Sequence, residues 1–135
     1  MADEKKMEEK YMQLQLLQQQ AEQITEYVEK LQLQHKELDT STEALTELQK
    51  TKVDTEILAP VANGIFLKAE LKDNQKLIVN IGADATVEKS IPEVLKLLEE
   101  QKGKIMENIT EAEGVLQELH EHGRRMYQET SGEAE

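Results

Sequence analysis

Two hydrophobic periods share this chain. Counting in sevens from Met7 gives Met7, Leu14, Ala21, Val28, His35, Thr42 and Gln49 at one core position (a), and Lys10, Leu17, Ile24, Leu31, Leu38 and Leu45 at the other (d). Every d from Leu17 onward is aliphatic, and no Pro or Gly interrupts residues 14–50. A sustained seven-residue repeat predicts a long helix whose narrow apolar seam needs a partner helix. The Gln, Glu and Lys between the seam positions favour helix intrinsically. The repeat resumes at "KSIPEVLKLLEE": Ser90 is placed to cap the helix, Pro92 suits its first turn, and Glu93 stands three residues after the cap. Its d positions are Ile91, Leu98, Ile105, Ala112, Leu119 and Met126, and its a positions are Leu95, Lys102, Ile109, Leu116 and Gly123.

Between these arms the period becomes two. Strands are predicted over residues 56–61, 65–71, 76–81 and 86–89, joined within pairs by "VANG" and by Gly82–Asp84 and between pairs by "KDNQ". That makes two β-hairpins.

If the arms fold back antiparallel with partner numbers summing to 140, every a faces a d. Leu31 then meets Ile109, Val28 meets Ala112, Ala21 meets Leu119, Leu17 meets Gly123 and Leu14 meets Met126. Small faces large in several layers, as interdigitation prefers. The same heptads would also serve a parallel dimer of each arm. The block between the arms is long enough to reverse the chain, which favours the hairpin. An arm of about 45 residues spans on the order of 65 Å at ~1.5 Å per residue. Two hairpins alone are poorly stable and carry unpaired edges. Their apolar residues Ile57, Val61, Ile65, Phe66, Leu67, Leu77, Ile78, Val79, Ile81 and Val87 exceed what two helix ends cover. Pairing with other chains is the favoured solution, and a sheet capping its own helices is the other.

Composition sharpens this. With one Phe, three Tyr, no Trp and 33% charged residues, the chain lacks the large apolar side chains of a compact globule. Narrow helical seams need fewer. The net charge of −12 divides into −5 for residues 1–50, −1 for 51–90 and −6 for 91–135. Acidic arms argue against nucleic acid or an anionic membrane as partners. The absence of Cys excludes disulfides, thiolate catalysis and thiolate-held zinc. No apolar signal core opens the chain, so a cytoplasmic location is expected.

The segment "ILAPVANGIFLKAEL…LIVNIGADATVEKSIPEVLKLLEEQ" between two heptad arms resembles the alpha-type subunit of prefoldin, above all the archaeal form, with the likeness strongest over residues 57–101. Two departures stand out: Ala62-Asn63-Gly64 where that family usually has a Gly-rich turn, and Asp84 where another Gly is common. Asn and Asp tolerate left-handed backbone well enough to preserve both turns. The resemblance implies a mainly α fold with a small β part, an antiparallel two-helix coiled coil with two β-hairpins (four strands) at one end. The whole chain (1–135) is then one domain, with arms 1–50 and 91–135 and an oligomerisation block 51–90. It implies a hexamer of two alpha and four beta-type subunits. It further implies capture of non-native proteins at the far coiled-coil tips without ATP or any cofactor, and transfer to a group II chaperonin. The tip residues are then Met1, Met7, Tyr11, Met12, Met126 and Tyr127, where adaptable Met side chains gather and where Gly123 and Lys10 weaken the seam. A structural or adaptor coiled coil without client binding is the alternative.

No enzymatic constellation is visible: there is no phosphate-cradling Gly loop, nucleophile signature or paired-carboxylate cleft. His35, at a core position opposite Ile105, reads as a residue that sets register, and Lys102 as a core lysine that extends its charge outward. His120 and His122 do not share a helix face. Glu118 and His122, four apart, form at best a two-ligand metal site. Arg124 and Arg125 suit a helix C-terminus.

Overall fold

The computed structural model describes residues 2–133, and contains helix α1 (Ala2–Lys50), strands β1 (Glu56–Ala62), β2 (Ile65–Glu70), β3 (Lys76–Gly82) and β4 (Ala85–Ser90), and helix α2 (Ile91–Glu133). The heptad reading is met along both helices. Every a and d position from Lys10 to Leu45 in α1, and from Ile91 to Met126 in α2, is buried or half-buried, while Met7 and Gln49 at the ends of the series are exposed.

The chain divides into two compact units. The first joins residues 2–35 of α1 to 103–133 of α2. Its core is Val28, Leu31, Ile109 and Ala112, flanked by Ile24 and Ile105. These are the layers that the antiparallel sum of 140 requires. His35 is half-buried in this seam, as is Ile105.

The second unit comprises residues 36–102. Here Lys102 fulfils the snorkelling expectation. Its stem lies at a core position, its side chain only 14% exposed, and its ammonium donates to Asp39 Oδ1 and pairs with Glu99 Oε1, each at 2.8 Å. Hydrogen bonding to Asp39, then to Glu99, raises the Lys102 pKa above the ordinary lysine value. Both helix ends in this unit are tied. The Asn74 side-chain amide donates to the Thr51 carbonyl (3.0 Å), and the Glu93 amide donates to Ser90 Oγ (3.2 Å), the cap foreseen from sequence. Ile91, the first residue of α2, is wholly buried, and its amide donates to the Gln75 carbonyl (2.9 Å).

The four strands form two separate antiparallel hairpins, β1 with β2 and β3 with β4. Each ladder reaches slightly beyond its sequence-based bounds at the turn. Ala62 pairs with Ile65 and Gly82 with Ala85, with a register shift just before each pair that sets Val61 and Ile81 out of step. A bulge of this kind adds local twist. The second turn is therefore the pair Ala83-Asp84, both with positive φ (49° and 61°), the signature of a tight I′ hairpin. Asp84 takes the left-handed backbone expected of it. Ala83 takes it too, at a cost of about 1–2 kcal/mol for a residue with a Cβ. In the first turn Gly64 supplies the positive φ (77°). Asp73 anchors the connection between hairpins: its Oδ1 accepts from the amides of Gln75 (2.8 Å) and Lys76 (3.1 Å), which hold its pKa below the ordinary carboxylate value.

Candidate functional site

Open apolar side chains cluster in two places, one in each unit, apart from single ones along the helices such as Leu33 and Met106. The first is the hairpin block. Ile57 and Ala59 of β1, Ala69 of β2, Leu77 and Val79 of β3 and Val87 of β4 are half-buried, whereas Leu58 and Ile78, on the opposite pleat of their strands, are exposed, Ile78 to 75%. Phe66, paired with Pro60 on the same pleat as Leu58, is also exposed. Toward the turns Val61, Ile65, Leu67 and Ile81 are open as well. Each hairpin thus carries apolar side chains on both faces. Leu58 belongs with this set, and its position opposite Ile57 in the strand alternation was the signal for it. No helix among the described residues is long and apolar enough to cross a membrane.

The second place is the end of the helix pair in the first unit. Met7, Tyr11, Met12 and Tyr127 are exposed there, Tyr11, Met12 and Tyr127 by about two thirds. Met126 is placed differently. It is 8% exposed, closing the seam at the d position where the heptads put it, so its thioether faces inward in this chain. Met1 lies outside the described residues. Lys10, expected to break the seam, is half-buried at its d position.

The seam opens just inside this end. Leu17 and Ala21 of α1 and Leu119 and Gly123 of α2 line a groove of about 770 Å³. The cause is sequence: two successive layers each hold a residue too small to fill its side, Gly123 opposite Leu17 and Ala21 opposite Leu119. A Cβ added at Gly123 would meet no atom within 4 Å. The weakened layer at Gly123 was legible from the heptads; the groove was not. Glu118 and His122 line one shallow depression with Arg125, and among the described residues no group of three or more His, Cys, Asp or Glu is placed to hold a metal ion.

These features have counterparts in known proteins. The family model described as "Prefoldin subunit" matches residues 17–134. The chain is similar to prefoldin subunit alpha of Archaeoglobus fulgidus, 28% identical over 96% of this chain and 94% of the relative. It is also similar to prefoldin subunit alpha of Pyrococcus horikoshii, 35% identical over 85% and 78% of the two chains, and to prefoldin subunit alpha 1 of Thermococcus kodakarensis, 37% identical over 73% and 68%. In three dimensions it resembles a chain of a filamentous PFD from Methanocaldococcus jannaschii solved by cryo-EM, with TM-score 0.77 over 88% of this chain and 98% of that one. Identity there is 19%, so this last likeness speaks for the fold. Two long helices flanking two exposed hairpins, a family match across most of the chain, and alpha-subunit relatives spanning nearly all of it lead to one assignment: the chain belongs to the prefoldin family, as an alpha-type subunit of this non-enzymatic chaperone that assembles with other prefoldin subunits.

Proposed function

We propose that this chain is a subunit of an ATP-independent holdase that works in the cytoplasm. In this reading its hairpins join beta-type subunits in a hexamer of two alpha and four beta chains. The coiled-coil tips hold non-native proteins and pass them to a group II chaperonin. Neither nucleic acid nor membrane takes part, and no cofactor is needed. The observation that supports capture is the cluster of exposed Met7, Tyr11, Met12 and Tyr127 at one end of a helix pair whose seam positions from Lys10 onward are buried or half-buried. Flexible thioethers and aromatic rings accommodate varied apolar segments. Each tip offers few such side chains among many Glu, so one contact is weak. Several tips engaging one client raise the effective concentration and hold it. Met126 joins the clamp only where the seam loosens.

The support for assembly is the exposed apolar surface on both faces of each hairpin in a region of charge −1. Adjoining strand edges and these faces bury in neighbouring subunits what one chain leaves open.

The test is removal of residues 1–11 and 124–135 from the chain, followed by mixing with a beta-type partner. The expected result is an assembly of unchanged size that no longer keeps a denatured test protein soluble. Full suppression of aggregation by the truncated assembly would overturn the tip reading and favour an adaptor role.

A further inference from the structure

We infer that the groove beside Leu17 and Gly123 is a docking site for a cationic amphipathic segment of another polypeptide, one that presents apolar side chains at helical spacing flanked by Lys or Arg. The inference deepens the client reading by naming a chemical class of segment, and it rests on that reading only for the identity of the segment's owner.

The groove's floor is apolar, because Gly123 and Ala21 leave Leu17 and Leu119 without the partners that other layers supply. Its wall on α1 is acidic. Glu22, Glu26 and Glu29 recur at intervals of four and three, so they form one line along the helix, and all three are exposed. Across the floor the α2 wall presents His120 and Tyr127, and no Lys or Arg lines the groove. One line of carboxylates beside an apolar trough is the complement of an amphipathic helix with a basic flank. Apolar side chains fill the space that Gly123 leaves, and Lys or Arg meets the glutamates. An apolar segment without charge gains only the floor, and an acidic one is repelled.

The same charges exclude the chain's own segments. Residues 128–135 carry three Glu and no Lys or Arg, and residues 1–12 carry three Lys against four acidic groups. Neither offers the net positive flank that the wall selects. A second copy of the acidic helix pair is disfavoured for the same reason. A foreign basic segment is the occupant that fits.

The probe is a fluorescent 18-residue peptide with Leu at helical i, i+3, i+4, i+7 spacing and Lys elsewhere, titrated by anisotropy into the full-length protein assembled with its beta-type partner. An analogue with Glu in place of every Lys is the control. E22Q/E26Q/E29Q should weaken the Lys peptide about tenfold, since each exposed ion pair contributes modestly. E37Q/E43Q/E47Q, which makes the same change of net charge on exposed positions away from the groove, should leave binding within about twofold. Gly123→Leu, whose Cβ meets open space, should fill the trough and weaken the peptide at least as much while leaving the helical circular dichroism intact. Equal losses from the two glutamate triples, equal binding of the Glu peptide, or an unaffected Gly123→Leu would each overturn the inference. Aggregation of a denatured acidic test protein separates the two readings. Protection of that client without Lys-peptide binding leaves the tips standing and removes the groove. Loss of peptide binding in the groove variants, with that client still protected, supports the groove in its own right.

Discussion

The paired helices and the hairpins use apolar residues in opposite ways. Along the helices, seam residues such as Leu31 and Ile109 are buried by one another within a single chain. In the hairpins, residues as large as Phe66, Leu67 and Ile78 stay open although each ladder's backbone is paired. Apart from the groove at Leu17 and Gly123, the helix pair closes its own seam. Each hairpin strand is paired on one side only and side-chain burial is unfinished, the pattern of a surface completed by a partner. A heptad seam closes because two helices suffice to cover each other, whereas a two-stranded ribbon has two faces and two edges, more than its own chain covers.

The largest expected effect separates the two regions outright. Phe66→Asp with Ile78→Asp should abolish assembly with other prefoldin subunits while helical circular dichroism stays at the wild-type value; sedimentation reads the size. A variant that still reaches the wild-type assembled mass would make the open faces ordinary surface and remove the contrast. The converse change is Leu31→Ala, at a side chain only 7% exposed in the seam. It should cost about 2–5 kcal/mol of stability, as large-to-small core changes do. Thermal melting of the helices should drop accordingly, with the assembled mass retained below the transition.

Two glycines sharpen the contrast on a smaller scale. Gly123→Ala should stabilise the helix by about 1 kcal/mol, because the new methyl meets open space and alanine is the better helix former. Gly64→Ala should destabilise by about 1–2 kcal/mol, since its φ of 77° is a left-handed conformation that a Cβ opposes. Opposite shifts in melting temperature are the expected reading; shifts of the same sign would refute this account of the turn.

The smallest effects are in pH dependence, and they run in opposite directions. Asp73 has a depressed pKa in the folded chain, chiefly through the Gln75 and Lys76 amides. Its contribution is present above the ordinary carboxylate range and fades as pH falls through the lowered value. Asp73→Asn should therefore be less stable than wild type at neutral pH and approach it in acid. Lys102 has a raised pKa, first through Asp39. Its contribution is complete below the ordinary lysine range and is lost as pH climbs through the raised value, so Asp39→Asn should match wild type only at strongly alkaline pH. Urea titrations across pH read both differences.

Much of the architecture was legible in the residues. Aliphatic d positions from Leu17 to Leu45 marked the seam, and the chain-reversing block between the arms favoured their antiparallel pairing. The Ser90 cap was equally visible, since capping depends on neighbours in sequence. The candidate surfaces were less so. Met126 was legible both as a d residue and as a tip residue, and in this chain it is buried at its d position. Leu58 is not among the hairpin residues that sequence singles out, yet it is exposed on the pleat opposite Ile57. Ala83 carries no mark of a left-handed residue, and the hairpin's register imposes that backbone on it.

The sequence alone determined the elements, their pairing and the acidic charge of the arms, because each follows from local periodicity and composition. Tertiary structure alone decided which apolar residues remain open. Exposure is a property of what stands opposite a side chain. That depends on Ile78 lying across from Glu88, on Gly123 lying across from Leu17, and on Lys102 reaching Asp39, pairs separated by stretches of sequence that only the folded chain brings together.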